Sequence, residues 1–171
     1  MSTAARISLA EYLRKQYEPE CELVDGGLIA KPMGTLDHTD MERRLIRLLE
    51  RFEQSGLGRT VHELSIRRGD TVRIPDVVFA PAGAHFENGM LIDPPILCVG
   101  ILSPAQRQSE LFARCEAYHS WGVRYCWVID PVGKVAWEYH QNSAIRTAGT
   151  TGDLRAGEIA VAVEDLFEKR V

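Results

Sequence analysis

The chain has no surplus of basic residues: 20 lysines and arginines against 24 aspartates and glutamates leave a formal net charge of -4. It therefore exerts no overall pull on nucleic acid or on an anionic membrane, and a polyanionic partner would have to meet a local basic patch. No apolar run approaches the length of a membrane span, and Met1-Ser2-Thr3-Ala4-Ala5-Arg6 lacks a signal-peptide core. A cytoplasmic protein without membrane association is expected. Cysteines are few, Cys21, Cys98, Cys115 and Cys126, with no Cys-x-x-Cys pair. That argues against a zinc site and predicts buried free thiols in a reducing compartment. There is no Gly-x-Ser-x-Gly elbow, and His38, His62, His85, His119 and His140 show no spacing that suggests a catalytic triad or a zinc site. Internal repeats and interdomain linkers are also missing.

What is present fits one globular unit. With 171 residues, 45% of them hydrophobic and 26% charged, the chain can bury a proper core. Ser8-Leu9-Ala10-Glu11 fits a capping box that opens a short helix through Gln16. Glu22 to Ala30 reads as a hairpin around Asp25-Gly26. From His38 to Gln54, Met41, Leu45, Leu48, Leu49 and Phe52 recur at helical spacing, with Asp37 placed to cap and Gly56 and Gly58 to stop the helix. Arg43, Arg44, Arg47 and Arg51 lie off that stripe, as a solvated face or a phosphate-tracking patch. His38 and Glu42, four apart, can reach toward one pocket.

Strands are expected over Arg59 to Ile66 and Thr71 to Ala80, with Arg67-Arg68-Gly69-Asp70 as the turn between them. A looser segment leads to the apolar run Ile96 to Leu102, which has the composition of a strand covered on both faces. Ser103-Pro104-Ala105-Gln106 then offers a helix start, and Leu111, Phe112, Cys115 and Tyr118 make that helix amphipathic until about Gly122. Val123 to Asp130 is a further buried strand, and Val135, Trp137 and Tyr139 alternate along the next. A polar loop over Gln141 to Gly152, a strand at Ile159 to Val163 and a helical turn at Glu164 to Phe167 close the chain. Within the expected strand Thr71 to Ala80, Asp76 is the one acid, and burying a carboxylate is costly unless something such as a metal ion pairs with it.

Ile74-Pro75-Asp76, Val99-Gly100-Ile101-Leu102-Ser103-Pro104 and the stretch Gly122 to Pro131 together resemble the Uma-two family of putative restriction endonucleases, within the PD-(D/E)XK nuclease superfamily. Glu22-Leu23-Val24-Asp25-Gly26, His38 and the closing Leu166-Phe167 extend the resemblance over almost the whole chain. It implies an α/β (α+β) restriction-endonuclease-like domain over 1–171, with its core at about 37–131. The implied core is a central mixed β-sheet flanked by helices in the order αβββαβ, with an N-terminal helix and hairpin and C-terminal strands added. It also implies metal-dependent hydrolysis of DNA. Two carboxylates on neighbouring strands hold Mg²⁺ or Mn²⁺, which polarises the phosphate and lowers the pKa of a bound water, and a lysine assists.

Asp76 matches the first carboxylate, but the second position is Gly100 and the lysine position is Arg114, which cannot accept a proton. Glu110, four residues before Arg114 on the same helical face, is the leading substitute acid and metal ligand beside Asp76, and Glu22 is the other. Gly100 can equally mark a bulge or a close backbone approach, and Asp76 can open a turn after Pro75 instead of lying within a strand. Two functions follow. A metal-dependent endonuclease would use Asp76 with Glu110 or Glu22, and Arg114 would stabilise the pentacovalent phosphate. A non-catalytic nuclease-fold module would bind nucleic acid through Arg67, Arg68 and Arg73, with His38 at the site, or would bind a protein. A homodimer would suit duplex DNA by analogy.

Overall fold

The computed structural model describes residues 6–168. Met1–Ala5, most of the segment read above for a signal peptide, and residues 169–171 lie outside them. The elements run α1 (Leu9–Arg14), β1 (Cys21–Val24), β2 (Gly27–Ala30), α2 (Leu36–Glu50), β3 (Gly58–His62), β4 (Ile66–Arg68), β5 (Thr71–Arg73), β6 (Val77–Pro81) and β7 (Phe86–Glu87). They continue β8 (Met90–Leu91), β9 (Leu97–Ile101), α3 (Gln108–Ser120), β10 (Tyr125–Asp130), β11 (Val135–Tyr139), β12 (Ile145–Ala148), β13 (Asp153–Ala156), β14 (Ile159–Ala162) and α4 (Val163–Phe167).

The strands form a central sheet in the order β12-β11-β10-β9-β6-β3, a side sheet in the order β2-β1-β5-β4-β8-β7, and the hairpin β13-β14. In the central sheet β9 and β10 are parallel and joined through α3, while the other neighbours are antiparallel. Side-chain alternation then sends successive residues to opposite faces. Val77, Phe79, Val99 and Trp127 face Met41, Leu45 and Leu49 of α2. Val78, Cys98 and Val128 face Leu111, Cys115 and Tyr118 of α3. Both faces of β6, β9 and β10 are thus covered, which is why these strands read as nearly continuous apolar runs. The order α2, β3, β6, β9, α3, β10 is the αβββαβ core, with β4, β5, β7 and β8 of the side sheet inserted into it and β1–β2 preceding it.

Several boundaries differ from the sequence reading. Thr71 to Ala80 is not one strand: β5 belongs to the side sheet and β6 to the central one, with the chain crossing between them at 74–76. Pro75 lacks an N–H for a ladder, so the break falls there. Helix α2 starts at Leu36 and its cap is Thr35, whose hydroxyl accepts from the His38 N–H at 3.4 Å, not Asp37. Helix α3 starts at Gln108, because Ser103 and Gln106 form a separate turn in which the Gln106 N–H donates to the Ser103 carbonyl at 2.9 Å. The segment 141–152 holds β12, and the segment before β9 holds the short β7–β8 pair.

Three of the cysteines are buried and Cys21 is half-buried, and all four are free thiols. Among the described residues no helix is long and apolar enough to cross a membrane. Leu45 is fully buried between α2 and the central sheet. Leu45→Ala should cost about 2–5 kcal/mol of stability, measured by denaturant unfolding, without changing secondary-structure content.

Candidate functional site

Asp76 sits in the crossover, one residue before β6. The register pairs Val77 with Val99 and Val78 with Cys98, so one step further places position 76 opposite position 100. One oxygen of Asp76, Oδ2, accepts from the Ile101 N–H at 2.7 Å, which fixes the carboxylate against the end of β9. The other, Oδ1, lies 3.4 Å from His38 Nε2 and 4.0 Å from Lys31 Nζ. His38 Nδ1 in turn lies 3.2 Å from Ser103 Oγ. These side chains line one cavity with Glu42 and Glu63, and Arg114 and Tyr118 close it from α3.

They come from several elements because the cavity lies where the crossover, the start of α2, the end of β9 and α3 meet. Capping by Thr35 sets the first turn of α2 so that His38 and Glu42, at i and i+4, point into it. Ser103, His38 and Asp76 stand in a line that histidine spacing alone did not suggest, since His38 and Ser103 are 65 residues apart. Ser103 is only 3% exposed and its N–H is tied to Gln106 Oε1 at 3.2 Å, so its hydroxyl serves to orient the imidazole. The hydrogen bond to Asp76 raises the His38 pKa above the ordinary imidazole value, against the lowering effect of burial.

Behind the cavity is a second cluster. Glu22, on β1, is 1% exposed. Its Oε1 accepts from the Ile74 N–H at 2.6 Å and pairs with Arg114, while Oε2 faces Arg73 at 3.7 Å. Arg114 also reaches the Tyr118 hydroxyl at 3.4 Å. Burial works against the charge on Arg114, but Tyr118 and Glu22 outweigh it and hold its pKa above the ordinary arginine value.

The proposed ligands and contacts separate as follows. Asp76, His38, Arg114 and Glu22 do come together. Glu110 does not: α3 begins at Gln108, so Glu110 lies in its first turn, exposed and outside the cavity lining. The hairpin arginines do not form a free patch either. Arg67 pairs with Glu87, Arg68 donates to the Trp121 carbonyl at 3.0 Å, and Arg73 joins the Glu22 cluster. Lys31, Glu63 and Ser103 were not singled out from the sequence as site residues. The signal for Lys31 was slight, a break in pattern at Lys31-Pro32-Met33-Gly34 after the hairpin.

The donor set does not fit a magnesium site of the two-carboxylate kind. Gly100 offers no oxygen from a side chain, and a Cβ there would meet Leu111 Cδ2 at 3.3 Å, so any side chain at this position would press on that leucine. Glu22 is spent on Arg114, Arg73 and Ile74. Among the described residues, no group of three or more His, Cys, Asp and Glu is placed to hold a metal ion.

Two outcomes check this electrostatic picture. Removing Arg114 leaves a buried carboxylate short of its partner, so Arg114→Met should cost about 3–5 kcal/mol in denaturant unfolding, and Glu22→Gln added to it should recover most of that loss. Burial raises the Glu42 pKa, with Glu63 and Asp76 adding to the shift. The folded protein then holds that proton more tightly than the unfolded chain. The resulting stability is present at low pH and is lost as pH rises past about 4.5 and through the folded value. Glu42→Gln should therefore raise the melting temperature at neutral pH, with the gain vanishing toward acid pH.

Comparison with known proteins agrees with this architecture. A crystal structure of a putative nuclease belonging to DUF820 from Anabaena variabilis aligns with a TM-score of 0.82 and 24% identity, covering 94% of this chain and 97% of that one. At that identity the likeness shows the fold. No curated protein matches the chain. The Uma2 family model, described as putative restriction endonuclease, matches residues 9–165, and this chain belongs to that family.

Proposed function

We propose that this chain is a nuclease-fold protein that engages a nucleic-acid phosphodiester at the Asp76 cavity, and that its metal-dependent cleavage is lost or strongly impaired. The observation that carries this reading is the cross-strand pair: Asp76 is held in place by the Ile101 N–H, while the facing position is Gly100 packed under Leu111. Metal-assisted hydrolysis needs hard oxygen donors to hold the ion and position the attacking water, and one carboxylate of the usual two is missing. The residues that remain can still receive a phosphate. Lys31, His38 and Arg114 bring donors to the cavity wall, and Asp76 orients His38. The fold and family membership support nucleic acid as the source of that phosphate.

A plasmid-nicking assay with Mg²⁺ and with Mn²⁺ tests the catalytic half. The native protein should show no cleavage above the Asp76→Ala background. Gly100→Glu combined with Leu111→Ala, which clears room for the longer side chain, should gain metal-dependent cleavage. Robust cleavage by the native protein that Asp76→Ala abolishes would overturn the reading. For the binding half, fluorescence anisotropy with a DNA duplex should show affinity that falls steeply between about 50 and about 200 mM salt. Binding that is undetectable at low salt would remove nucleic acid as the ligand.

A further inference from the structure

β2 ends the side sheet: it pairs with β1 on one side, and among the described residues no strand lies on its other side. The turn before it decides which backbone groups face outward. Asp25 and Gly26 have φ of 51° and 78°, the two-residue turn whose flanking residues, Val24 and Gly27, form a hydrogen-bonded pair. Bonding alternates from there, and the Lys31 N–H, which donates to the Glu20 carbonyl at 2.8 Å, keeps the same phase. Gly27, Ile29 and Lys31 therefore turn their backbone groups toward β1. Leu28 and Ala30 each turn an N–H and a C=O away from it.

Open edges recruit other strands, and chains blunt them with charge, brevity or proline. The other edges of the two large sheets are blunted in this way. β12 carries Arg146, β3 carries Arg59, and β7 is two residues long and carries Glu87. β2, Gly27-Leu28-Ile29-Ala30, has no charged residue. Ile29 is 46% exposed, and the chain leaving the strand adds Met33 and Leu36 at 89% and 76%. An apolar row beside unpaired backbone donors and acceptors is what an added strand covers.

We infer that the β2 edge is a two-fold interface between two copies of this chain, paired antiparallel about Ile29. The outward groups fix that register. With Leu28 of one protomer opposite Ala30 of its partner, the two residues exchange both N–H···O bonds, and the two-fold axis repeats the pair, so every outward group of β2 is satisfied. A register centred on Leu28 or on Ala30 would satisfy only one of the two residues. Ile29 then meets its own copy in the close, non-hydrogen-bonded position. Charge agrees with the antiparallel sense. Asp25 precedes β2 and Lys31 follows it, so the acidic end of each copy lies by the basic end of the other, whereas a parallel pair would set like beside like. The pairing joins the two side sheets into one and sets the cavity walls formed by Lys31, Pro32 and Gly34 on either side of the axis. The inference goes beyond the proposed function and does not depend on nucleic acid.

Sedimentation velocity on the full chain over a dilution series, with no nucleic acid present, is the test. Native protein should sediment as a dimer at the upper concentrations. Ile29→Lys, which sets two ammonium groups face to face, should lose the dimer while its circular dichroism stays unchanged. Ala30→Pro removes an outward N–H and should lose the dimer through the backbone alone. Thr147→Lys, which puts the same charge on the exposed β12 edge, should remain dimeric. Cα atoms about 4.5 Å apart are within disulfide reach, so Ile29→Cys should give a reducible cross-linked dimer under mild oxidation. Native protein, with Cys21 half-buried and its other thiols buried, should not cross-link. A native monomer at every concentration would leave the edge to Met1–Ala5 or to a strand of another protein, and would overturn the inference. A dimer that Ile29→Lys and Ala30→Pro both leave intact would overturn it as well. None of these readouts involves the Asp76 cavity, so failure here is distinct from a failure of DNA binding or of the cleavage result.

Discussion

The carboxylate of Glu22 is the tie on which the arrangement depends. It lies in the side sheet, yet it accepts from the Ile74 N–H in the crossover and pairs with Arg114 from the helix that covers the central sheet. One buried side chain therefore links the side sheet, the crossover and α3. A charge so deeply placed is tolerated only because a guanidinium and a backbone N–H meet it, with Arg73 behind. The family resemblance matched Glu22 to a recurrent acid, and a catalytic part was the natural reading. In the fold it acts as a joint between layers, and Arg114, the apparent replacement for a catalytic lysine, is its partner.

The same logic governs the cavity in front of it. Its acids and bases are carried by the chain and neutralise one another in pairs: Asp76 with His38, Glu63 with Lys31, Glu22 with Arg114. Among the described residues Glu42 faces only the exposed His62, at 3.9 Å, and burial, with Glu63 and Asp76 adding to it, raises its pKa. Gly100 fits this state. With Leu111 packed over it, position 100 is part of the apolar contact between β9 and α3. Of the two readings of that glycine, the contact with Leu111 bears on the packing requirement.

The core was legible because its signals are periodic and local. The α2 stripe and the apolar runs of β6, β9 and β10 each follow from burial against a single neighbour or two. The side sheet was less legible because β4, β5, β7 and β8 are each two or three residues long, too short to show a period. The site divided along the same line. Asp76 stood out as an acid within an expected strand, although it lies in the crossover just before β6, and His38 stood out at a helix start. Lys31 and Ser103 gave no comparable signal, since each acquires its role from a partner far away in sequence. Glu110 was misplaced for a simpler reason: Ser103-Pro104 satisfies a turn, so the helix begins four residues after that proline.

The passage of the chain from β5 to β6 places Asp76 at a seam between two independently hydrogen-bonded sheets. Residues inside a sheet are braced on both sides by their neighbours, whereas a residue at a seam inherits the freedom of whichever layer shifts. The carboxylate is steadied from the central sheet by Ile101, and the crossover two residues before it is held from the side sheet by Glu22, which accepts from the Ile74 N–H. Slippage between the layers would be felt at this acid, so its position doubles as a gauge of how tightly the two sheets are docked.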